Sequence, residues 1–472
     1  MRVVTHFEPI FRTCFVLLLA CSELITIGCS AIGPATSVQQ APQTSVSQSV
    51  YTASPISQIV PSTAVVSNNY FGMHIHRLAN PADPSQVTPF PSFPVSVLRL
   101  WDSTTWYSLE PTPGNPQWLK LDETISAATA NGVNDFVFTF GYVPGWASSN
   151  PAGSCDGAYT GSCFPPDLSS LDQFTSDLVK RYCGKIRYYE TWNEPNLSLF
   201  WKGSDAQLLE IAQQIHAIVK DPSNCGCTAG TCSPGGGANP NKVLLPSINS
   251  LAPNSLGWLE HWLGSALSPY PYADIASFHG YGYENNPENI RDGVQSLRTT
   301  LNRLGLANLE LWNTEASWGR AQNQTQEQQA AWLMRYQTIQ AATGVSRFMW
   351  YAYDNCDWGS LWGSSCGTPS DAWIGPREPA TAYATVQQWL TGAKIEYCEF
   401  HVDTTWLCRL TRSGDYVGWI AWNSSQASTS MTVPSTLGLV QYRDWQNQPH
   451  VVVEGSVSIG PMPLLLENKS AF

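Results

Sequence analysis

The sequence predicts an α/β protein built on a (β/α)8 TIM barrel, followed by a small all-β sandwich. Apolar, β-branched runs alternate with segments of helical spacing over roughly 320 residues, as in a barrel of eight strand-helix units. After residue 394 the helical spacing stops, and short strands follow turn signals such as Ser413-Gly414-Asp415. The chain has 472 residues, 43% of them hydrophobic, which is enough for a large core and more than one domain.

Eight runs rich in Val, Ile, Phe, Tyr or Trp predict the barrel strands. They cover residues 71–76, 95–101, 135–140, 186–192, 243–248, 275–278, 309–313 and 347–353. Segments with apolar residues at helical spacing predict the helices. They cover residues 119–131, 168–182, 206–219, 256–267, 290–304, 327–342 and 381–390.

The sandwich is predicted from alternating strands near the C-terminus, at 396–402, 405–410, 416–422, 430–433 and 451–459. Residues around 57–66 are expected to lend it a further strand. The predicted domains are a signal at 1–30, a linker rich in Ser, Gln and Thr at 31–66, the barrel at 67–393 and the sandwich at 394–472.

The N-terminus resembles an export signal. Arg2 and Arg12 precede the apolar run FVLLLA, which is too short to span a bilayer. Cys21 and Cys29 each end a segment that resembles the cleavage box of bacterial lipoproteins, in which the cysteine carries the lipid. We therefore expect an exported protein: secreted, periplasmic, or tethered to a membrane through a lipidated cysteine. Ordinary cleavage near residue 30 and an uncleaved anchor are the alternatives.

The cysteines support export. Thirteen are present, and setting aside Cys14, Cys21 and Cys29 leaves ten, an even number that favours disulfides over metal in an exported chain. Short separations predict the pairs Cys155–Cys163, Cys356–Cys366 and Cys398–Cys408. The pairing among Cys183, Cys225, Cys227 and Cys232 stays open. A zinc site on the last three is disfavoured, because a one-residue gap suits structural zinc poorly.

Composition limits the classes of ligand that the protein is expected to bind. The formal net charge is −12 and the sequence carries no basic run, which argues against nucleic acid. Twenty Trp and nineteen Tyr offer aromatic faces that suit the C–H faces of sugar rings. The sequence shows no Gly-rich nucleotide loop of the usual spacing and no convincing metal-ligand cluster, so neither a cofactor nor a metal is expected.

Two predicted strands end in a glutamate. YYETWNEPN at 188–196 leads from the fourth strand into a loop at Glu194, where Pro195 prevents a central strand from continuing. LELWNTEASW at 309–318 ends the seventh strand in Glu315. In a (β/α)8 barrel, active sites lie at these C-terminal strand ends. Two carboxyls there, one donating a proton and the other attacking or assisting at the anomeric carbon, are what cleavage of a glycosidic bond requires.

At WNEPN and WNTE the sequence resembles the clan A glycoside hydrolases. With a C-terminal sandwich and the ending VSIGPMPLLLE, it looks most similar to glycoside hydrolase family 39 and its relatives. The resemblance implies retaining hydrolysis of a β-glycosidic bond in a poly- or oligosaccharide. It also implies that Glu194 is the acid/base and Glu315 the nucleophile, with the two carboxyls about 5–5.5 Å apart.

Further candidates come from the same resemblance and from strand ends. Arg99 matches the clan arginine that pairs with the nucleophile, Asn193 the residue that binds the sugar 2-hydroxyl, and Trp350 the sugar-platform tryptophan. His279 and Tyr281 follow the sixth strand, where the clan often has His or Tyr, and a structural role remains the alternative for each of these residues. From position alone, His76 or His74 on the first strand is expected to point into the barrel mouth, and Trp146 is a cleft candidate, with Trp101 and Asp102 weaker.

Two other functions use the same features. A non-catalytic carbohydrate-binding surface protein on a degenerate barrel would bind a glycan without turnover. Retention of both glutamates together with Asn193 and Arg99 argues against it. A transglycosylase would use the same residues and differ only in whether sugar or water intercepts the intermediate. An open groove lined by Trp would favour endo action, and a closed pocket exo action.

Overall fold

The computed structural model describes residues 55–59, 65–83, 86–265, 270–320, 324–355, 358–363, 375–425, 427–435, 438–453 and 455–470. The predicted signal, most of the linker, and the three cysteines set aside as part of the signal lie outside these ranges. So does the predicted Cys356–Cys366 pair. None of the helices in the described ranges combines the length and apolar character needed to cross a membrane.

The strands of the described residues fall into a parallel barrel, an antiparallel sheet and short hairpins. In chain order they are β1 (Pro55–Ile59), β2 (Phe71–Met73), β3 (Val97–Leu100), β4 (Asp135–Thr139), β5 (Tyr188–Glu190), β6 (Gly226–Thr228), β7 (Thr231–Ser233), β8 (Lys242–Leu244), β9 (Ile248–Ser250), β10 (Ile275–Tyr281), β11 (Glu310–Ala316), β12 (Val345–Trp350), β13 (Trp362–Gly363), β14 (Gly375–Pro376), β15 (Lys394–His401), β16 (Thr405–Arg412), β17 (Tyr416–Asn423), β18 (Thr429–Thr432), β19 (Gln441–Arg443), β20 (Pro449–Val451), β21 (Ser456–Ile459) and β22 (Leu464–Glu467).

Eight parallel strands close into the predicted barrel. β2, β3, β4, β5, β8, β10, β11 and β12 pair in this order. The ring closes where β12 pairs with β2, with Phe348 opposite Phe71. β9 continues the line of the fifth barrel strand and pairs with β10. Each of the eight predicted strands corresponds to one of these, so the predicted fold class is confirmed.

Helices surround the barrel as predicted. They are α1 (Trp106–Leu109), α2 (Leu119–Ala130), α3 (Leu168–Arg181), α4 (Asp205–Lys220), α5 (Pro253–Ser265), α6 (Ile290–Arg303), α7 (Gln326–Ala342) and α8 (Glu378–Leu390), with 3₁₀ turns at Asn68–Tyr70, Gly145–Ala147 and Pro287–Asn289. α2 to α8 match the seven predicted helices. Capping boxes begin α4 at Ser204 and α7 at Thr325, which satisfies backbone N–H groups that the first turn of a helix leaves unpaired.

The barrel interior is packed rather than hollow. Its lower layer consists of buried apolar side chains from six strands: Val97, Val137, Leu244, Ile275, Trp312 and Met349. Charged and polar side chains replace this layer towards the C-terminal ends of the strands, where Arg99, Glu190, His279 and Thr314 are all buried. The apolar layer closes the bottom of the barrel, so the polar groups above it can be reached only from the C-terminal face.

The C-terminal module is antiparallel, and its large sheet has the strand order β1-β15-β16-β17-β22-β19-β20. The predicted strand contributed from before the barrel is confirmed as β1, which pairs with β15. The five predicted strands correspond to β15, β16, β17, β18 and β21. β19, β22 and all of β20 except Val451 were not predicted. β22 is the run LLLE, buried along its whole length, which gives no period-2 alternation to recognise.

Strand alternation gives this sheet two buried faces. Trp406, Ile420 and Trp422 join the main core with the barrel helices, and the next residues along the strands, such as Leu407 and Trp419, form a second core with the β18–β21 pair. Trp422 Nε1 donates to Glu288, beside the barrel. The module is therefore packed between the barrel and its own small hairpin.

Disulfides occur at four places in the described residues. Cys155–Cys163 and Cys398–Cys408 are confirmed. The pairing that the sequence left open is Cys183–Cys225 and Cys227–Cys232. The second of these crosses the β6–β7 hairpin.

Candidate active site

Glu194 lies four residues beyond β5, in a sharp turn. Its backbone has φ of +43°, a left-handed conformation that is uncommon for a residue with a side chain and that often marks a functional site. The turn is held by the N–H of Asn193, which donates to the carbonyl of Phe140 at 3.0 Å, and by the N–H of Leu197, which donates to the carbonyl of Glu194 at 2.9 Å. The carboxyl of Glu194 is directed into the top of the barrel, where the residue is only 8% exposed.

Glu315 lies on β11, three strands around the barrel from β5. It is the sixth residue of β11 and is likewise 8% exposed. The hydroxyl of Tyr281 donates to its Oε1 at 3.0 Å, and Arg99 donates to its Oε2 at 2.8 Å. His279 Nε2 lies 3.8 Å from the same Oε2. Glu315 is thus held at both oxygens, by Tyr281 from the neighbouring strand β10 and by Arg99 from β3, which is not a neighbour of β11.

The two glutamates meet, as the strand-end prediction requires. One oxygen of Glu194, one nitrogen of His279 and one oxygen of Glu315 all lie within 4.8 Å of one another. His279 Nδ1 is 2.5 Å from Glu194 Oε1, so this histidine stands between the two carboxyls. A separation of this size is what a direct attack by one carboxyl and proton donation by the other need.

Arg99 organises the floor of the site. Its guanidinium donates to Glu315, to Asn193 Oδ1 at 2.9 Å and to Glu190, with Nε 2.8 Å from Glu190 Oε2. Glu190 was not predicted. It also accepts from the hydroxyls of Thr139 at 3.0 Å and Thr314 at 2.7 Å. A buried carboxylate inside a β-run, where a charge is unfavourable unless paired, was the available signal for it.

The pKa values of the two glutamates and of His279 are all displaced. Burial raises the pKa of Glu194 to about 8, against the attraction of Arg99. Burial also raises the pKa of Glu315, and His279 and Arg99 limit that rise. Burial lowers the pKa of His279 to about 4. At neutral pH, Glu194 is therefore protonated and His279 neutral, so the proton between them belongs to the carboxyl, and Nδ1 of His279 accepts it.

Glu190 behaves differently from its two neighbours. Although burial acts in the other direction, Arg99 and His279 lower the pKa of Glu190 below its usual range. Glu190 therefore stays ionised and holds Arg99 in place from below. The guanidinium then presents its remaining N–H groups upward, to Asn193 and Glu315.

A second polar group lies at the ends of β2, β3 and β12. His76 Nε2 is 3.0 Å from Asp102 Oδ2, and the hydroxyl of Tyr351 donates to the same oxygen at 2.7 Å. His76 thus stands at the barrel mouth, and Asp102 raises its pKa even though burial acts to lower it. His74, the alternative, is fully buried, with Nε2 2.9 Å from the carbonyl of Thr314.

The structure does not place Trp350 where its predicted role as a sugar platform requires it. The structure places it in the barrel core at 0% exposure, with Nε1 donating to the carbonyl of Gly359 and the ring packed on Trp318. It has no surface to offer a sugar ring. The next residue, Tyr351, is half-buried and binds Asp102 instead. Consecutive side chains of a strand point to opposite sides, so Trp350 faces the core, the structural alternative for it, and Tyr351 faces the barrel mouth.

Of the other two aromatic candidates, one is half-buried and the other is buried. Trp146 is half-buried, with Nε1 donating to the carbonyl of Glu110 at 2.8 Å and its ring edge-on to Trp106, so a place in the cleft stays a prediction. Trp101 is buried beside the guanidinium of Arg99, 5.8 Å from ring centroid to Cζ. Tyr142, which was not predicted, stacks on Trp101 and has a left-handed φ of +49°.

The carboxyl–histidine group also has the spacing of a metal site, since Glu194, His279 and Glu315 each offer one ligand atom. Arg99 opposes that use. Its positive charge already neutralises Glu315 at 2.8 Å, and a second cation would be repelled at such a distance. The geometry therefore suits proton transfer and attack by a carboxylate better than metal binding.

The fold is that of the (β/α)8-barrel glycoside hydrolases, with two glutamate carboxyls within 4.8 Å of each other at the ends of the fourth and seventh strands. Comparison with known proteins agrees. Residues 232–371 match the family model described as glycosyl hydrolase catalytic core, a segment that includes His279, Tyr281 and Glu315. No curated protein sequence matches the chain at a significant level.

The chain is similar to several solved glycoside hydrolases. A family 39 glycoside hydrolase from the gut symbiont Bacteroides cellulosilyticus WH2 shares 16% identity, over 86% of this chain and 82% of that one, with a TM-score of 0.64. A family 39 β-xylosidase from Caulobacter crescentus shares 16% identity over 87% and 98%, with a TM-score of 0.54. The catalytic domain of family 30 xylanase C from Talaromyces cellulolyticus shares 12% over 87% and 98%, with a TM-score of 0.52. At these identities the likeness is one of fold, and the predicted resemblance to family 39 is confirmed at that level.

Proposed function

We propose that the protein is a retaining glycoside hydrolase that cleaves β-glycosidic bonds in an oligo- or polysaccharide. The observation that carries the proposal is the pair Glu194 and Glu315, with carboxyl oxygens within 4.8 Å of each other at the open end of the barrel. Retaining enzymes need carboxyls about 5–5.5 Å apart, whereas inverting enzymes leave about 6.5–9.5 Å for a water between them.

Glu315 serves as the nucleophile. Arg99 and Tyr281 bind its two oxygens and stabilise the carboxylate form, the form that can attack an anomeric carbon. Both donors are anchored: Arg99 by the ionised Glu190, and Tyr281 within β10 beside β11. The attacking oxygen is therefore presented in a fixed position before a substrate binds.

Glu194 serves as the acid and then as the base. A pKa of about 8 keeps its proton at neutral pH, and neutral His279 holds the carboxyl in place through Nδ1. Once Glu315 has been esterified by the sugar, its negative charge is gone. Glu194 then ionises more readily, because one source of like-charge repulsion has been removed.

The reaction has two steps, formation of a glycosyl ester on Glu315 and its hydrolysis. Glu315 forms a bond to the anomeric carbon while the bond from that carbon to the leaving oxygen breaks, and Glu194 gives its proton to that oxygen. In the second step Glu194 takes a proton from water, the water oxygen bonds to the anomeric carbon, and the ester bond to Glu315 breaks. Two inversions give net retention, and both glutamates return to their starting states.

The surrounding residues bind the sugar or position these groups. Asn193 lies beside Glu194 with its Oδ1 on Arg99, which leaves its amide N–H groups to donate to the 2-hydroxyl of the sugar. His76, with Asp102 and Tyr351, offers polar groups at the mouth for other hydroxyls. The four disulfides of the described residues form readily only in oxidising compartments, which supports export.

The test is turnover of aryl β-xylosides, aryl β-glucosides, xylan and β-glucan by the wild type and matched variants. β-Xylosides come first because one of the similar structures is a β-xylosidase. Glu315→Ala should abolish turnover. Glu310→Ala is the matched control, since Glu310 is an exposed glutamate at the other end of the same strand. Normal turnover by Glu315→Ala would refute the proposal.

Azide assigns the two roles separately. In Glu194→Ala, azide should attack the glycosyl ester on Glu315 and release the β-glycosyl azide. In Glu315→Ala, azide should occupy the space of the lost carboxylate and release the α-glycosyl azide from a substrate with a good leaving group. The reverse stereochemistry would exchange the roles. Binding of a glycan by the wild type with no turnover of any substrate would favour a carbohydrate-binding protein instead.

A further inference from the structure

A continuous row of aromatic side chains runs from the site to the surface. Trp101, beside Arg99, stacks on Tyr142 with ring centroids 5.0 Å apart. Tyr142 meets the edge of Tyr159 at 5.4 Å, and Tyr159 stacks on Tyr107 at 4.2 Å with the rings 7° from parallel. Tyr159 is 49% exposed, the only aromatic side chain among the large exposed hydrophobic residues of the described chain.

The loop that carries Tyr159 is fixed rather than free. The disulfide Cys155–Cys163 closes it on either side of Tyr159. Asp156 in this loop accepts from the Ser198 hydroxyl at 2.6 Å and from Lys202 Nζ at 3.1 Å, both on the loop after β5. An exposed aromatic ring in such a loop is held in one position before any ligand arrives, which lowers the entropy lost on binding.

The barrel strands that carry the aromatic row show on which side of the two carboxyls it lies. Tyr142 and Tyr159 follow the third barrel strand, and Tyr107 follows the second. Glu315 is on the seventh strand, which lies opposite the third in a ring of eight. In the first displacement the leaving group departs from the face of the anomeric carbon opposite the nucleophile. The leaving group therefore moves from Glu315 towards Glu194 and this row.

We propose that Tyr159, backed by Tyr107 and joined to the site through Tyr142, is a binding platform for the leaving-group part of the glycan. This inference rests on the proposed function. The platform takes a sugar ring, whose C–H face stacks on an aromatic face, and the proton from Glu194 is delivered between this ring and the sugar held over Glu315. The preferred substrate is consequently a chain of at least two sugars rather than a glycoside of a small alcohol.

The test compares substrates that share the sugar over Glu315 and differ in the leaving group. β-Xylosyl fluoride and xylotriose form one pair, and β-glucosyl fluoride and cellotriose the other; fluoride has no ring to stack. In Tyr159→Ala, the ratio of kcat/KM for the trisaccharide to kcat/KM for the fluoride should fall about tenfold, the effect of one aromatic contact. Tyr159→Phe is the matched control, because it keeps the ring, and its ratio should stay within about twofold of wild type.

An unchanged ratio in Tyr159→Ala overturns the platform. So does an equal loss on both substrates, which would mean that Tyr159 acts on the site as a whole. If the wild type turns over neither fluoride, the proposed function is refuted for these sugars, and the platform is then judged by binding. Calorimetric affinity of Glu315→Ala for the trisaccharides should weaken about tenfold on adding Tyr159→Ala, and equal affinity would overturn the platform by itself.

Discussion

The raised pKa of Glu194 makes a prediction that needs no substrate. Glu194→Gln replaces the carboxyl by an uncharged group of the same shape, so it removes the titration and little else. A glutamate whose pKa rises from about 4.5 unfolded to about 8 folded favours the folded state below pH 4.5 and loses that contribution as the pH rises to 8. The wild type should therefore lose stability with rising pH in a way that the glutamine variant does not.

The magnitude follows from linkage. With those two pKa values, ionisation of Glu194 in the unfolded chain lowers wild-type stability by about 1 kcal/mol at pH 5 and about 5 kcal/mol at pH 9. The variant should thus gain about 4 kcal/mol relative to wild type between these two pH values. For a folded part of roughly 400 residues this corresponds to roughly 5 °C in Tm. The amide N–H of the glutamine can donate to Nδ1 of His279 in place of the carboxyl, and because His279 is neutral from pH 5 to pH 9, any change in that contact adds an offset that is similar at both pH values.

The assay is differential scanning calorimetry of wild type and Glu194→Gln at pH 5, 7 and 9. Glu123→Gln, on the exposed face of α2, is the control for removing one glutamate from the surface. The difference in Tm between wild type and Glu194→Gln should change in favour of the variant by several degrees as the pH rises. A difference that stays constant from pH 5 to pH 9 would show that Glu194 titrates normally, and the argument for a protonated acid would fail.

Three further changes test other parts of the structure. Arg99→Met leaves two buried carboxylates without their cation, so calorimetry should show a loss of about 3–5 kcal/mol and turnover should vanish; wild-type melting would contradict the buried network. Tyr281→Phe removes only the hydroxyl that donates to the proposed nucleophile at 3.0 Å, so kcat on a glycosyl fluoride should fall about 10- to 100-fold while Tm falls by no more than about 4 °C; an unchanged kcat would exclude this contact from catalysis. Glu288→Gln weakens the bonds from Arg335 and Trp422 and should destabilise the protein by about 3 kcal/mol with KM unchanged; a raised KM with normal stability would place this pair in substrate binding instead.

The barrel could be predicted because its signals are local. Each strand is a short apolar run and each helix a stripe of 3.6-residue period, so every element is visible in its own segment. The positions of the two glutamates near strand ends could be predicted for a similar reason, since Pro195 follows the fourth strand closely and Glu315 is the last residue but one of β11; their roles stay a prediction. β22 was missed because a strand buried on both faces has no alternation, and three consecutive leucines resemble any buried segment.

The partners of the glutamates could not be predicted in the same way. Glu190 binds Arg99, which is 91 positions away in the chain, and no local sequence pattern around either residue predicts this contact. Trp350 and Tyr351 show a different limit. The rotation of a strand decides which of two adjacent residues faces the core, and that rotation is set by pairing with β2 and β11 rather than by the strand's own sequence.

The difference between the two carboxyls originates in how the barrel places a single cation. Arg99 on β3 donates to Glu190, Asn193 and Glu315, and the hydrogen bonds of the described residues include none from it to Glu194. Asn193, the neighbour of Glu194 in the chain, accepts an N–H of Arg99. The left-handed turn places Glu194 beside His279, which burial keeps neutral. One glutamate therefore faces a positive charge and the other a neutral acceptor. Burial raises the pKa of both glutamates, but only Glu315 has a cation bound to its carboxyl, so the closing of the barrel, rather than either motif alone, creates the difference between them.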